Sequence, residues 1–244
     1  MQRIRLLTCD AGMLGGQLDE VLAGLAPDVV ALTGIAPGRA LRIAGPRSMR
    51  SATQAWSADN DSGLALLWKA SFAVGSLDRF DFGQERNSFG ALRISFPLDG
   101  RFVNVYCALL SHDGAAAAGQ QMRLAALLDL ERHPTLVACE SITAQSSYHW
   151  SRCIDAWTIA QRRVVSLATS GDAGLSAQRA FGVSVGSTAV DRRSQEGPTW
   201  HCSEEFSVIE ARSIANSGSP GHPVRTATVA LRASAADENI AIAL

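Results

Sequence analysis

The sequence predicts an α/β protein in which antiparallel-dominated sheets carry helices on their outer sides, and three observations predict it. A strand, a helix and a second strand follow one another between Ile4 and Ile35. Two strand-like runs in the middle of the chain flank the pair Asp99-Gly100, a tight-turn signal. A long helical stretch then precedes a further apolar run, with no repeat or linker dividing the chain. This order suits an α/β sandwich better than a barrel of repeating strand–helix units.

Each element has a local reason. Ile4–Cys9 is a short apolar run after a charged start and reads as a strand. Within Gly16–Leu25, the residues Leu18, Val21, Leu22 and Leu25 recur at helical spacing on one face. Asp28–Ile35 is a buried-strand run bounded by Pro27 and Pro37. Strands are expected at Leu64–Trp68, within Phe72–Phe82, at Ala91–Phe96 and at Phe102–Leu110. The Asp99-Gly100 turn joins the last two, because a two-residue hairpin turn needs positive φ. Ala115–Arg132 carries Met122, Leu124, Leu127 and Leu128 and reads as a helix; Thr135–Cys139 is a strand. Later strands are expected at Val183–Val185, Phe206–Ile209 and Val224–Leu231. A single domain over residues 1–234 follows, with a tail over 235–244.

The 244 residues are 47% hydrophobic and 18% charged, with a formal net charge of -1, which is an ordinary globular balance. Such a chain has no global attraction to nucleic acid or to anionic membrane, so any such contact must come from a local patch. Lys69 is the only lysine. The short apolar run after Arg3 and Arg5 does not make a signal peptide, and no stretch approaches the ~20 apolar residues of a spanning helix. A soluble, cytoplasmic protein is expected. Five cysteines, an odd number without tight spacing, argue against a disulfide framework. The pairs His149/Cys153 and His201/Cys202 fall short of a zinc pattern.

In order, the runs resemble the motif series of the endonuclease/exonuclease/phosphatase superfamily. Leu6-Leu7-Thr8-Cys9-Asp10 matches the opening strand, and Asp28-Val29-Val30-Ala31-Leu32-Thr33-Gly34 matches a DVVALQE strand. Gly63–Leu67, Val105–Leu110 (for VYNTHL), Val137–Ala144 (for LAGDFNA), Asp155-Ala156-Trp157 and Ser219–Val224 (for SDHRPV) follow. The resemblance covers residues 3 to 232 and rests on order and spacing. It implies a four-layer α/β sandwich, two mainly antiparallel or mixed sheets face to face with helices outside.

It also implies a chemistry that needs a divalent metal held by carboxylates, an aspartate-oriented histidine and asparagine donors for phosphate. This sequence keeps none of eight such positions. The opening Asn is Asp10, the metal-binding Glu is Gly34, and the His of the THL motif is Leu109. In the GDFN motif Asp is Glu140 and Asn is Ile142; a later Asp falls at Phe181. In the last motif Asp is Pro220 and His is Gly221, with His222 one residue late. Groups that act as a unit lose most of their benefit together. The expectation is therefore a pseudoenzyme without cofactor.

Three roles remain open to such a chain. The first is binding of nucleic acid or another phosphate ligand through Arg39, Arg42, Arg47 and Arg50, read as lying on a loop between Ala36 and Ser57 without acidic residues. Trp56 and Trp68 are candidates for stacking on bases, Trp68 also for the core. The second is a regulatory subunit or homo-oligomer using Ser213–His222 and the apolar Ile240–Leu244 as protein contacts. The third is a divergent metal-dependent phosphodiesterase in which Asp10 and Glu140 hold Mg or Mn. A replacement base from His112-Asp113 or His149 has no serine elbow or phosphate loop beside it.

Overall fold

The computed structural model describes residues 2–55, 62–83, 89–111, 114–140, 153–155, 199–214 and 224–232. Twelve strands form two six-stranded sheets among these residues. The first sheet has the order β11 (Phe206–Ile214), β12 (Val224–Leu231), β1 (Arg3–Asp10), β2 (Val29–Thr33), β4 (Gly63–Lys69), β3 (Met49–Ala55). The second has the order β5 (Ser76–Asp81), β6 (Gly90–Leu98), β7 (Arg101–Leu109), β8 (Thr135–Glu140), β10 (Thr199–Ser203), β9 (Cys153–Asp155). Each sheet has one parallel pair at its centre, β1 with β2 and β7 with β8, and is antiparallel elsewhere.

Period-two alternation decides what each face touches. Ile4, Leu6, Val29, Ala31, Leu64 and Leu66 of the first sheet meet Leu92, Ile94, Val103, Val105, Leu136 and Ala138 of the second in one inter-sheet core. The other face of the first sheet packs Leu7, Cys9, Val30 and Leu32 against α1 (Ala11–Leu14), α2 (Leu18–Leu25) and α3 (Pro37–Ala44). The outer face of the second sheet packs Tyr106, Ala108 and Val137 against Leu124 and Leu128 of α4 (Gly114–Leu130). The result is four layers, as expected. The hairpin turn is also as expected, with φ of 47° at Asp99 and 76° at Gly100.

Two expectations need correction, and further strands were not foreseen. The segment after Ile35 is not a loop: α3, a 3-10 turn at Gly45–Arg47 and β3 fill it. Pro37 opens α3 and Ala40, Ile43 and Ala44 bury one side of it, a helical spacing hidden among Gly and Pro. Within Phe72–Phe82 only Ser76–Asp81 is strand. Strands β3 and β10 were not foreseen, since MRSATQA and TWHCS lack a sustained apolar pattern. The expected strand Val183–Val185 lies outside the described residues. No helix among the described residues is long and apolar enough to cross a membrane. Cys9, Cys107, Cys139 and Cys202 are buried.

Two polar clusters tie layers together. Asp28, at the foot of β2, accepts from the Arg5 backbone N–H at 2.7 Å and pairs with the Lys69 ammonium at 2.5 Å, so the sole lysine anchors β4 to β2 and β1. Beneath the C-terminal end of α4, the buried Glu131 carboxylate accepts from Asn104 Nδ2 at 2.6 Å, from Arg93 Nη1 at 2.5 Å and from the Tyr106 hydroxyl. Arg93 also grips Asp78 at 2.8 and 3.0 Å. Burial alone would lower the Arg93 pKa, but its bonds to Glu131 and Asp78 outweigh this and raise it. Burial, joined by Glu131, pushes the Tyr106 phenol above its ordinary range.

Two outcomes follow for stability. Glu131→Ala strands Arg93, Tyr106 and Asn104, and should cost about 3–5 kcal/mol in urea denaturation. The Tyr106 pKa is higher folded than unfolded, so its contribution is complete below about pH 10 and is lost as pH rises toward the folded value. Tyr106→Phe should therefore flatten the alkaline fall in stability that the native chain shows above about pH 10.

Candidate functional site

The strand ends β1 and β2 finish side by side, with Asp10 in register with Thr33. On the facing sheet β7 and β8 finish likewise, with Leu109 in register with Glu140. Alternation places Thr8, Asp10 and Thr33 on the inner face, continuing the rows of Ile4–Leu6 and Val29–Ala31. The Cys107 thiol reaches the Leu32 carbonyl at 3.7 Å, which fixes the approach of β7 to β2 at this end of the sandwich. Asp10, Gly34, Leu109 and Glu140 thus converge on one end of the inter-sheet space. Ile142, Phe181, Pro220, Gly221, His222, His112, Asp113, His149 and Trp56 lie outside the described residues.

Asp10 caps α1, its carboxylate Oδ1 accepting from the Gly12 N–H at 2.8 Å and the Met13 N–H at 3.4 Å. That carboxylate lies directly over Gly34, whose φ is +64°. A Cβ at Gly34 would stand 2.4 Å from Asp10 Oδ1, so no side chain fits there while Asp10 keeps its cap. Leu109 is 3% exposed and belongs to the inter-sheet core.

The four arginines separate into two kinds. Arg39 donates to the carbonyls of Ala11, at 3.3 Å, and of Gly15, strapping α3 to α1. Arg47 donates to the Ile43 carbonyl at 2.8 Å and to Asp19 Oδ1 at 2.7 Å, strapping the end of α3 to α2. Arg42 and Arg50 are exposed. Trp68 is in the inter-sheet core. His201 and Cys202, adjacent on β10, point to opposite faces and cannot share an ion.

Sequence reasoning missed a set of polar groups at this end. Arg225 of β12 is half-buried, in register with Thr8, on the face that carries Ala227, Val229 and Leu231 inward. The Thr8 and Thr33 hydroxyls and the Trp200 indole N–H are buried without a hydrogen-bond partner in the structure. The signal was present in VRTATVAL, where an arginine occupies the parity of the buried residues.

Among solved structures similar to this one, an endonuclease/exonuclease/phosphatase from Bacteroides vulgatus aligns with a TM-score of 0.70 at 10% identity, over 95% of this chain and 100% of that one. The fold is settled by that match. This chain has the endonuclease/exonuclease/phosphatase fold. The D. rerio TDP2 complexed with single-strand DNA product aligns with a TM-score of 0.66 at 12% identity, over 94% of this chain and 100% of that one. The human Nocturnin catalytic domain with bound sulfate aligns with a TM-score of 0.64 at 11% identity, over 94% and 95%. No family profile and no curated protein sequence matches the chain.

The endonuclease/exonuclease/phosphatase fold brings the expectation of a divalent cation, and the described residues do not fit one. Hard cations take six or more oxygen ligands, several of them carboxylates. Asp10 Oδ1 accepts from the Gly12 and Met13 N–H groups, Gly34 offers no side chain and Leu109 is apolar. No group of three His, Cys, Asp or Glu among the described residues could hold a metal.

The packing of Asp10 on Gly34 has a measurable consequence. Gly34→Ala should cost about 1–3 kcal/mol, from positive φ and the contact with Asp10. Asp10→Ala should cost about 1 kcal/mol as a lost cap. The double variant should cost less than the sum in a denaturation cycle, because the contact disappears with the carboxylate. Strict additivity would mean that the two residues do not touch.

Proposed function

We propose that this chain is a catalytically inactive protein of the endonuclease/exonuclease/phosphatase fold that acts by binding, with a phosphate-bearing ligand, nucleic acid foremost, held at the end of the inter-sheet space. The observation that carries the loss of catalysis is the Asp10 carboxylate lying over Gly34. The position of the fold's metal-binding glutamate is a glycine, covered by a neighbour whose Oδ1 accepts from backbone N–H groups. Metal activation and acid–base help are each worth orders of magnitude in rate, and neither has its residues among those described.

The polar groups that remain favour an anion over a neutral ligand. Arg225 brings a positive charge beside Thr8, and the Thr8, Thr33 and Trp200 donors lack partners. Charge-assisted hydrogen bonds from such groups suit phosphate oxygens. Arg42, on the outer helix α3, and Arg50, level with Val29 at the other end of the first sheet, are the exposed members of the arginine set. Two neighbours of the same fold fit this reading, one holding a single-strand DNA product and the other a sulfate anion.

Fluorescence anisotropy of a labelled single-stranded oligonucleotide tests the reading. Binding should weaken as salt rises, with a log–log slope of about -0.7 per phosphate contact, and should be the same in Mg²⁺ and in chelator. Arg225→Gln should weaken it about tenfold or more while the oligonucleotide stays uncut in every condition. Affinity without salt dependence would assign the chain to a protein partner instead. Cleavage in Mn²⁺ that Glu140→Ala abolishes would establish a working two-carboxylate site.

A further inference from the structure

We propose that α4 is a self-association surface, on which a second copy of this chain packs helix to helix and antiparallel, with Ala126 at the two-fold axis. Helix α4 is the outer layer over the second sheet, and the side it turns to solvent is apolar. Met122 is 59% exposed and Leu130 is 78% exposed, with Gly119 and Ala126 exposed along the same line. Steps of three and four residues keep these positions on one stripe of the helix. Arg123 and Asp129, at the two margins of the stripe, are the only charged residues of the 17 in the helix. Its two amides are on the inside: Gln120 and Gln121 are buried, and Gln120 Oε1 accepts from the Ser111 N–H at 2.6 Å. A helix on the outside of a sandwich ordinarily turns charge to water, as α2 does with exposed Asp19 and Glu20. A helix that is apolar all round is a covered one.

Charge and spacing select a second copy as the occupant. Ala126 lies midway between Met122 and Leu130, and also midway between Arg123 and Asp129. An antiparallel copy centred on Ala126 therefore sets Arg123 level with Asp129 of that copy, and Met122 level with its Leu130, twice over by symmetry. A parallel copy would instead set arginine level with arginine and aspartate level with aspartate. The Arg123 guanidinium stays at the margin, where it also donates to the Phe82 carbonyl at 3.2 Å. Gly119 fits a close approach of two backbones. A Cβ there would meet nothing within 4 Å beyond its own stretch of helix, among the described residues, so packing within the chain does not call for glycine. Glycine is costly inside a helix relative to alanine, and small residues at 119 and 126 let two helices come near each other. A single helix pair about 25 Å long makes a small interface, so the dimer forms reversibly as concentration rises. The inference does not depend on the ligand proposed above, which binds between the sheets.

Sedimentation equilibrium of the native chain, from micromolar to sub-millimolar concentration, tests the seam. The weight-average mass should rise from that of one chain towards that of two. Ala126→Glu sets two like charges at the axis and should weaken association about tenfold or more. Arg123→Asp and Asp129→Arg should each weaken it, and the double variant should restore it, because both members of each intermolecular pair are then exchanged. Within one helix these two residues are six apart and do not face each other, so rescue reports a contact between chains. Leu41→Ser, at an exposed apolar position on α3, should leave association unchanged. Circular dichroism verifies that each variant is folded. A chain that stays monomeric throughout overturns the proposal. So does a dimer that Ala126→Glu leaves intact, or one that Leu41→Ser weakens equally.

Discussion

Two sheets can pack face to face only if each offers the other a continuous apolar surface, about 10 Å away, along the whole length of the contact. In this chain Ile4, Leu6, Val29, Ala31, Leu64 and Leu66 make that surface from one side, and Ile94, Val103, Val105 and Leu136 from the other. Every other feature is placed by this constraint. Helices cover the two outer faces because those faces are apolar as well. Polar groups gather at the end where both central parallel pairs stop, because only there does the inner row run out of core.

The same constraint accounts for what stands at the positions where the resemblance implies reacting groups. Leu109 continues the inner row of Val103, Val105 and Cys107 and simply lengthens the core. Gly34 allows the backbone to turn at positive φ directly after β2, with the Asp10 carboxylate against it. Oδ1 of Asp10 then caps the first N–H groups of α1. Each replacement serves the scaffold where the resemblance implies a reacting group. The buried Thr8, Thr33 and Trp200 and the half-buried Arg225 all carry hydrogen-bond donors.

Much of the scaffold was legible in the sequence, and the failures have physical causes. Ile4–Cys9, Asp28–Ile35 and Thr135–Cys139 read as strands because both faces are covered, which gives near-continuous apolar runs. Asp99-Gly100 read as a turn because its backbone conformation restricts the residues that fit. Strand β3 did not read, since it pairs on one side only and most of its side chains are half-exposed. Helix α3 was hidden by its flanking Gly and Pro residues. At the site, the positions of Asp10, Gly34 and Leu109 followed from motif order. The cap on Asp10, the straps made by Arg39 and Arg47 and the inward parity of Arg225 depend on tertiary neighbours that no local pattern encodes. The Glu131 cluster assembles from four separate segments and was invisible for the same reason.

The central proposal is that this chain keeps the architecture of the fold without binding a divalent metal. Titration of the folded chain with Mn²⁺, read by the loss of the free-ion electron paramagnetic resonance signal, tests it most directly. The structure predicts that the free-ion signal grows in proportion to added Mn²⁺ with no saturable depletion, and that Asp10→Ala changes nothing. One ion bound per chain at micromolar affinity, lost in Asp10→Ala, would contradict it.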